Sequence, residues 1–423
     1  MKKGSPKLKN SLGAKMPRKQ KKFMKDWSRM NDLRKYKILY INGTSEIGGS
    51  DLNLLDLVKN LNRSKFTPLI VLPFPGPLVD KFKELKAEVI FVDMSVVKRT
   101  YNPIRISSYL LNFLPTVIRL KKLIKDEKID LVHTNTTVVL GGGIASRLSG
   151  IRNVYHAREI VTHPKPIVWL LNRMIELTAH RIIAMTDAVV KVNFPSAYRR
   201  NAKIHTIYDG VDLELFDPKI NSGTFRKEFN IKPDNYVIGM VGRMVPWKGH
   251  EYFIRAAEIV TEYYNNVKFI IVGDIVREDQ RKYKKELIGL VKRSNLNGSF
   301  IFTGSRMDIP QVIADFDILV LPSSSPEPSG RVILEAMALA KPVIATNHGG
   351  PSELIIENKT GFLIPPRDSG ALAEALINLL RNPELAKEMG NSGRKEVERR
   401  FDIRNHVKRV EEIYESLLIE KRS

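Results

Sequence analysis

Between Ser323 and Leu354 the chain reads SSSPEPSGRVILEAMALAKPVIATNHGGPSEL. Few folds accommodate that order of residues. Pro326 and Pro328 each remove a backbone donor and fix φ, so the segment around Glu327 is a loop. Ser329 and Gly330 stand where a helix N-cap belongs. Arg331 to Ala340 are good helix formers, with Val332, Leu334, Ala336, Met337 and Leu339 apolar. Lys341-Pro342 stops that helix, and Val343–Thr346 reads as a buried strand. His348-Gly349-Gly350-Pro351 makes the next turn, and Ser352 begins another helix. Loop, helix, strand and turn in this order are the unit of an α/β sheet protein.

Two carboxylates stand out, Glu327 in the loop and Glu335 in the helix. Between them lies a helix N-terminus with free N–H groups, which attracts anions. A nucleotide sugar would suit this arrangement, its diphosphate on the N–H groups and its hydroxyls on the carboxylates. A surface loop with two solvated Glu side chains has the same pattern.

The remaining composition narrows the class. A chain of 423 residues exceeds the ~250–300 that one core supports, so two domains are expected. Cysteine is absent, which excludes disulfides, thiolate metal sites and a cysteine nucleophile. No apolar run is long enough to span a bilayer, and the N-terminus has no apolar signal core. The net charge of +23 is uneven: +12 over residues 1–37, +9 over 38–212 and +2 over 213–423. A basic front half points to an anionic partner, a membrane surface among them. Residues 1–34 are polar and highly charged, a tail expected to be disordered. Its Phe23, Met24 and Trp27 beside the lysines suit an interface, or the tail is simply solvated.

Strands and helices alternate along the rest. Tyr36–Ile41 is a strand, followed by a loop containing Gly48 and Gly49 and a helix over Asp51–Leu61, the start of a Rossmann-type unit without the GxGxxG fingerprint. Residues 104–125 combine apolar bulk with Arg105, Arg119, Lys121, Lys122 and Lys125. They read as a basic amphipathic helix broken or kinked at Pro115, lying on an anionic membrane or on the domain. Polar residues end the strands at His133 and His156. A second set begins at Tyr236–Arg243, whose loop carries Arg243 and Lys248. Two fixed cations there can hold a diphosphate, or they are surface charge.

Taken together, these segments resemble the retaining nucleotide-sugar glycosyltransferases of family 4, with the GT-B fold. The family pattern PSxxEPFGxxxxEAMAxGxPVIAxxxGGxxE is followed nearly throughout from Ser323 to Glu353. The spacing of Arg243 and Lys248 matches GRx4KG, and Asp209-Gly210-Val211-Asp212 resembles the NGVD turn. Ser329 replaces an aromatic, Ala340 a glycine and Asp209 an asparagine. Ile275 stands where a second glycine is usual.

The resemblance implies two Rossmann-like domains facing a central cleft. An acceptor domain would cover 35–212 and a donor domain 213–400, with a helix at 401–423 packing back on the first. It implies that Arg243 and Lys248 stabilise the leaving diphosphate and that the backbone of Ser329, Gly330, Arg331 and Val332 contacts phosphate. Glu335 would accept from ribose hydroxyls and Glu327 would meet the sugar. His156 would position sugar and acceptor, and Gly48 and Gly49 would approach the donor. The co-substrate would be a UDP- or GDP-sugar, with no permanently bound cofactor and no metal. The acceptor would be a glycan or lipid-linked glycan at the cytoplasmic membrane face, in capsule, exopolysaccharide or lipopolysaccharide assembly, with nucleic acid not expected. A dead transferase fold that binds membrane or nucleic acid through its basic half is the competing reading, separated by nucleotide-sugar turnover.

Overall fold

The computed structural model describes residues 34–97, 103–161, 164–195, 202–220 and 222–420. The basic tail, with Phe23, Met24 and Trp27, lies outside them. The first half alternates β1 (Tyr36–Ile41), α1 (Gly49–Asn60), β2 (Phe66–Leu72), α2 (Pro77–Glu84), β3 (Glu88–Phe91), α3 (Pro103–Asp126), β4 (Leu131–Thr134), α4 (Gly141–Leu148), β5 (Arg152–Ala157), α5 (Lys165–Thr178), β6 (Arg181–Ala184), α6 (Asp187–Asn193) and β7 (Ile204–Thr206). The second continues with α7 (Thr224–Glu228), β8 (Tyr236–Val241), α8 (His250–Thr261), β9 (Val267–Val272), α9 (Arg281–Arg293), β10 (Phe300–Gly304), α10 (Ile309–Ala314), β11 (Ile318–Leu321), α11 (Arg331–Ala338), β12 (Val343–Thr346), α12 (Pro351–Leu354), β13 (Gly361–Ile364), α13 (Ser369–Arg381), α14 (Pro383–Arg400) and α15 (Ile403–Glu420).

Two parallel sheets result, in the orders β3-β2-β1-β4-β5-β6-β7 and β10-β9-β8-β11-β12-β13. Helices cover both faces, so the strands are continuous apolar runs rather than alternating ones. Along β1, Ile38 and Tyr40 enter the core on one face while Leu39 and Ile41 enter the core on the other. In the second sheet Val237 and Leu319 face one core, and Ile238 and Val320 the opposite one. Each order reverses once, between β1 and β4 and between β8 and β11. Ligands of such sheets bind beyond the strand C-termini at that reversal.

The chain crosses between the halves twice, and the crossings pair with each other. Val211 N–H donates to the Phe401 carbonyl (2.8 Å), and Ile403 N–H donates to the Val211 carbonyl (3.1 Å). After the second crossing, α15 lies on the first half. Its Val407, Val410, Tyr414 and Leu417 share a core with Tyr40 and Leu54.

Pro115 does not break the basic helix. α3 runs unbroken through it, and the Thr116 hydroxyl donates to the Asn112 carbonyl (2.7 Å) beside the missing donor.

α11 stops at Ala338, and Ala340 has φ of +54°. Left-handed backbone crowds a Cβ, which explains why a glycine suits this place. Ala340→Gly should raise stability by about 1 kcal/mol, read as a higher denaturant midpoint at unchanged slope.

Candidate active site

The end of β11 and the start of α11 build one wall. Gly330 caps α11 with φ of +95°, and no side chain caps its first N–H groups. Those donors are left for an anion. The loop before them is fixed by the turn after β12. Glu327 N–H donates to the His348 carbonyl (3.1 Å), and Gly350 N–H donates to the Glu327 carbonyl (2.7 Å). Gly349 packs so tightly here that an added Cβ would stand 2.3 Å from the Glu327 oxygen.

Lys248 and Glu327 meet. Lys248 Nζ is 2.7 Å from Glu327 Oε2, which also accepts from the Ser323 hydroxyl at 2.9 Å. Both side chains are largely buried. Lys248 lies in the short turn after β8 with its ammonium 4.4 Å above the Trp247 ring. Arg243, at the mouth of the same loop, is exposed.

Glu335 is buried, which raises its carboxyl against the opposing pull of Arg331. Arg331 Nε donates to Glu335 Oε1 at 2.6 Å. The rest of that guanidinium leaves the second half altogether, meeting Asn53 and Asp56 on α1. Two further contacts join the halves near Glu327. The Thr186 hydroxyl donates to the Pro328 carbonyl (2.7 Å). The Glu353 carboxylate accepts from Asp187 N–H (2.8 Å), Ala188 N–H (2.7 Å) and the Tyr208 hydroxyl (3.0 Å).

The opposing wall comes from the first half. Gly48 caps α1 with extended backbone, and neither Gly48 nor Gly49 has positive φ. A Cβ at Gly49 would meet nothing within 4 Å. Turn geometry is therefore not what asks for glycine here. Asp51 follows, buried, with Oδ1 accepting from Asn42 Nδ2 (2.8 Å). Burial pushes its carboxyl up to about 6, with Asn42, Arg158 and Arg243 opposing and Glu159 assisting. Asn42 Oδ1 in turn accepts from Asn135 (3.0 Å), and Asn135 Oδ1 accepts from Arg158 (2.6 Å). Arg158 pairs with Asp209 at 2.8 Å, the side chains 0% and 1% exposed. That pair accounts for Asp209 in place of asparagine: a buried guanidinium needs a carboxylate.

His156 is not in the cleft. Its ring is fully buried among His133, His406 and Arg158. Burial first, then Arg158 and the two neighbouring imidazoles, hold its pKa well below the usual value. The strand's alternation turns this ring toward α15, so it cannot reach a sugar as the resemblance implied. His133 bonds the Tyr414 hydroxyl through Nδ1 at 2.6 Å.

One Asp-x-Asp string exists, Asp315-Phe316-Asp317, and it serves structure. Asp315 accepts from the Gly223 and Arg226 N–H groups, and Asp317 holds Arg226 (2.8 Å) and Val237 N–H (2.7 Å). It precedes β11, at the end of the sheet away from the cleft. Nothing in the residue types alone singles out the Arg331 side chain, Asp51, Asn53 or Asp56. The Arg-x3-Glu spacing of Arg331 and Glu335 was the available signal, since i and i+4 meet on a helix.

Residues 221–396 match the family described as glycosyl transferases group 1, and residues 47–215 match glycosyltransferase family 4. The Escherichia coli UDP-Gal:alpha-D-GlcNAc-diphosphoundecaprenol alpha-1,3-galactosyltransferase is 30% identical over 325 residues, 74% of this chain and 82% of that protein. The capsular polysaccharide biosynthesis glycosyltransferase CapM of Staphylococcus aureus is 27% identical over 258 residues, 60% of this chain and 66% of that one. Among solved structures, Anabaena Alr3699/HepE in complex with UDP and glucose superposes with a TM-score of 0.78 at 26% identity, over 90% of this chain and 100% of the other.

Asp51 gives a pH signature. Its folded pKa exceeds the unfolded value of about 3.9, so the fold holds more protons than the unfolded chain between about pH 4 and 6. Stability should fall as pH rises through that window and then level off, a loss on the order of 3 kcal/mol. Asp51→Asn should remove this slope in urea titrations run from pH 4 to 7.

Proposed function

The chain belongs to the group 1 glycosyl transferases, with the GT-B fold, and we propose that it transfers a sugar from a UDP-sugar to a lipid-linked or growing glycan with retention of configuration. The observation that carries this reading is the Lys248–Glu327 pair beside the uncapped start of α11. UDP is favoured by the nucleotide held in the HepE complex and named in the Escherichia coli relative. That relative and CapM favour a role in cell-surface polysaccharide synthesis.

The diphosphate takes the N–H groups over 329–332, with Lys248 and Arg243 as counter-charges. Without donor, Glu327 neutralises Lys248; a bound phosphate competes for that ammonium and turns Glu327 toward the sugar. The C1–O bond to the diphosphate then breaks. The leaving phosphate oxygen accepts the proton of the acceptor hydroxyl, whose oxygen bonds C1 from the same face. Arg243 and Lys248 stabilise the charge that accumulates on the diphosphate, and Glu327 stabilises the positive charge developing at C1. Gly48 and Gly49 leave room for donor or acceptor on the facing wall.

The acceptor end lies on an anionic membrane surface, on its cytoplasmic face. On α3, Leu111 (76%), Leu114 (64%) and Ile118 (59%) are exposed at helical spacing, next to exposed Arg119, Lys121, Lys122 and Lys125. α5, which shares a core with α3 through Phe113, exposes Trp169 and Leu170 as well. No helix of the described residues is long and apolar enough to cross a membrane. Apolar side chains beside lysines are the composition of an interfacial helix.

Two outcomes test this reading. UDP at ~100 times its dissociation constant should stabilise the protein by ~2.7 kcal/mol, and Lys248→Ala should weaken that shift while lowering kcat by roughly 10²–10³-fold. No shift with any nucleotide diphosphate in folded protein would overturn the donor site. Full-length protein should float with anionic liposomes at low salt, and Leu111→Glu with Leu114→Glu should reduce flotation; no wild-type binding to them would overturn the membrane contact.

A further inference from the structure

Arg331 opens the donor helix, yet most of its guanidinium lies against the other domain. Nη1 stands 2.7 Å from Asp56 Oδ2 and donates to Asn53 Oδ1. Asn53 and Asp56 are three apart on α1, so they present adjacent polar ends to one side of that helix. The Asn53 amide cannot turn freely. Its Nδ2 donates to Asp209 Oδ2 at 2.8 Å, which leaves Oδ1 facing Arg331. Asp209 is in turn locked by Arg158. A chain of buried polar groups thus runs from Glu335 through Arg331, Asn53, Asp209 and Arg158 to Asn135 at the end of β4.

Two carboxylates from different domains, Glu335 (6% exposed) and Asp56 (9% exposed), share this one guanidinium. Buried carboxylates that lose their cation are left uncompensated. The planar fork of arginine serves both at once, which a lysine ammonium at the end of a flexible stem does not. Arg331 also engages only one Glu335 oxygen in a hydrogen bond, so a ribose hydroxyl can use the second.

We infer that Arg331 is a positioning residue that couples the proposed donor carboxylate Glu335 to helix α1 of the first domain, making nucleotide affinity depend on Asp56, which is linked to Glu335 through Arg331. This rests on the donor-site reading above. Without Asp56 and Asn53 the guanidinium would have Glu335 as its one carboxylate partner and could close over it; with them it is held toward α1, and one Glu335 oxygen stays open for the ribose.

The test is UDP titration calorimetry and steady-state kinetics on the full chain. Asp56→Asn leaves Arg331 paired with Glu335, so no buried charge is orphaned within the donor helix. It should weaken UDP binding about tenfold and raise KM for the UDP-sugar with little change in kcat. Arg331→Met should do so more strongly, and the Asp56→Asn/Arg331→Met double variant should be no weaker than Arg331→Met alone. If Asp56→Asn does not fold, Arg331→Lys answers the same question, because it keeps the charge and removes the fork. Wild-type UDP binding with an equal affinity in Asp56→Asn, or additive effects in the double variant, would overturn the coupling alone. A folded wild-type chain that binds no nucleotide diphosphate would overturn the donor site and the coupling with it.

Discussion

The wall that carries Glu327 depends on a backbone contact. Glu327 is held on both its N–H and its carbonyl by the turn at His348–Gly350, and Gly349 fits against it with no room for a side chain. A loop with two prolines and no hydrogen-bonded ladder of its own would otherwise wander. Pinned this way, its carboxylate meets Lys248 and Ser323, and its far end leads directly into the uncapped turn of α11. The backbone that carries Glu327 and the start of α11 is therefore fixed as one piece, while the carboxylate itself is held by Lys248 and Ser323.

Polar contacts join the two walls of the cleft. Arg331 meets Asp56, Glu353 caps the start of α6, and Thr186 holds the Pro328 carbonyl. Such contacts can be exchanged for water when the halves separate, whereas a large apolar face could not. The buried charges deeper in the first half behave otherwise. Arg158 and Asp209 are sealed from solvent with their partners satisfied, so they fix the shape of the wall that the contacts at Arg331 lean on.

Strand and helix order was legible because both sheets are buried on both faces and their strands read as apolar runs between turns. The loop carrying Glu327 was legible because proline and glycine at Pro326, Pro328, Gly330, Gly349 and Gly350 leave few backbone options. Side-chain direction was not. His156 sits at a strand end in either reading, and one step of the strand's two-residue alternation decides whether its ring faces the cleft or α15. Pairings across the halves were hidden for a different reason: Asp56 and Arg331 are hundreds of residues apart, and nothing local distinguishes Asp56 from a solvated helix carboxylate. The Asp-x-Asp string shows the converse, since its carboxylates are used up by Arg226 and neighbouring N–H groups.

The two chain crossings are hydrogen-bonded to each other at Val211, and Gly210 lets the second pass so closely that an added Cβ would be 2.5 Å from Ile403 Cα. Two tethers fastened at one point leave that point as the natural pivot between the halves. Small backbone changes beside Gly210 and Phe401 are multiplied by the length of each domain at the cleft mouth, as the motion of a gate is by the distance from its post.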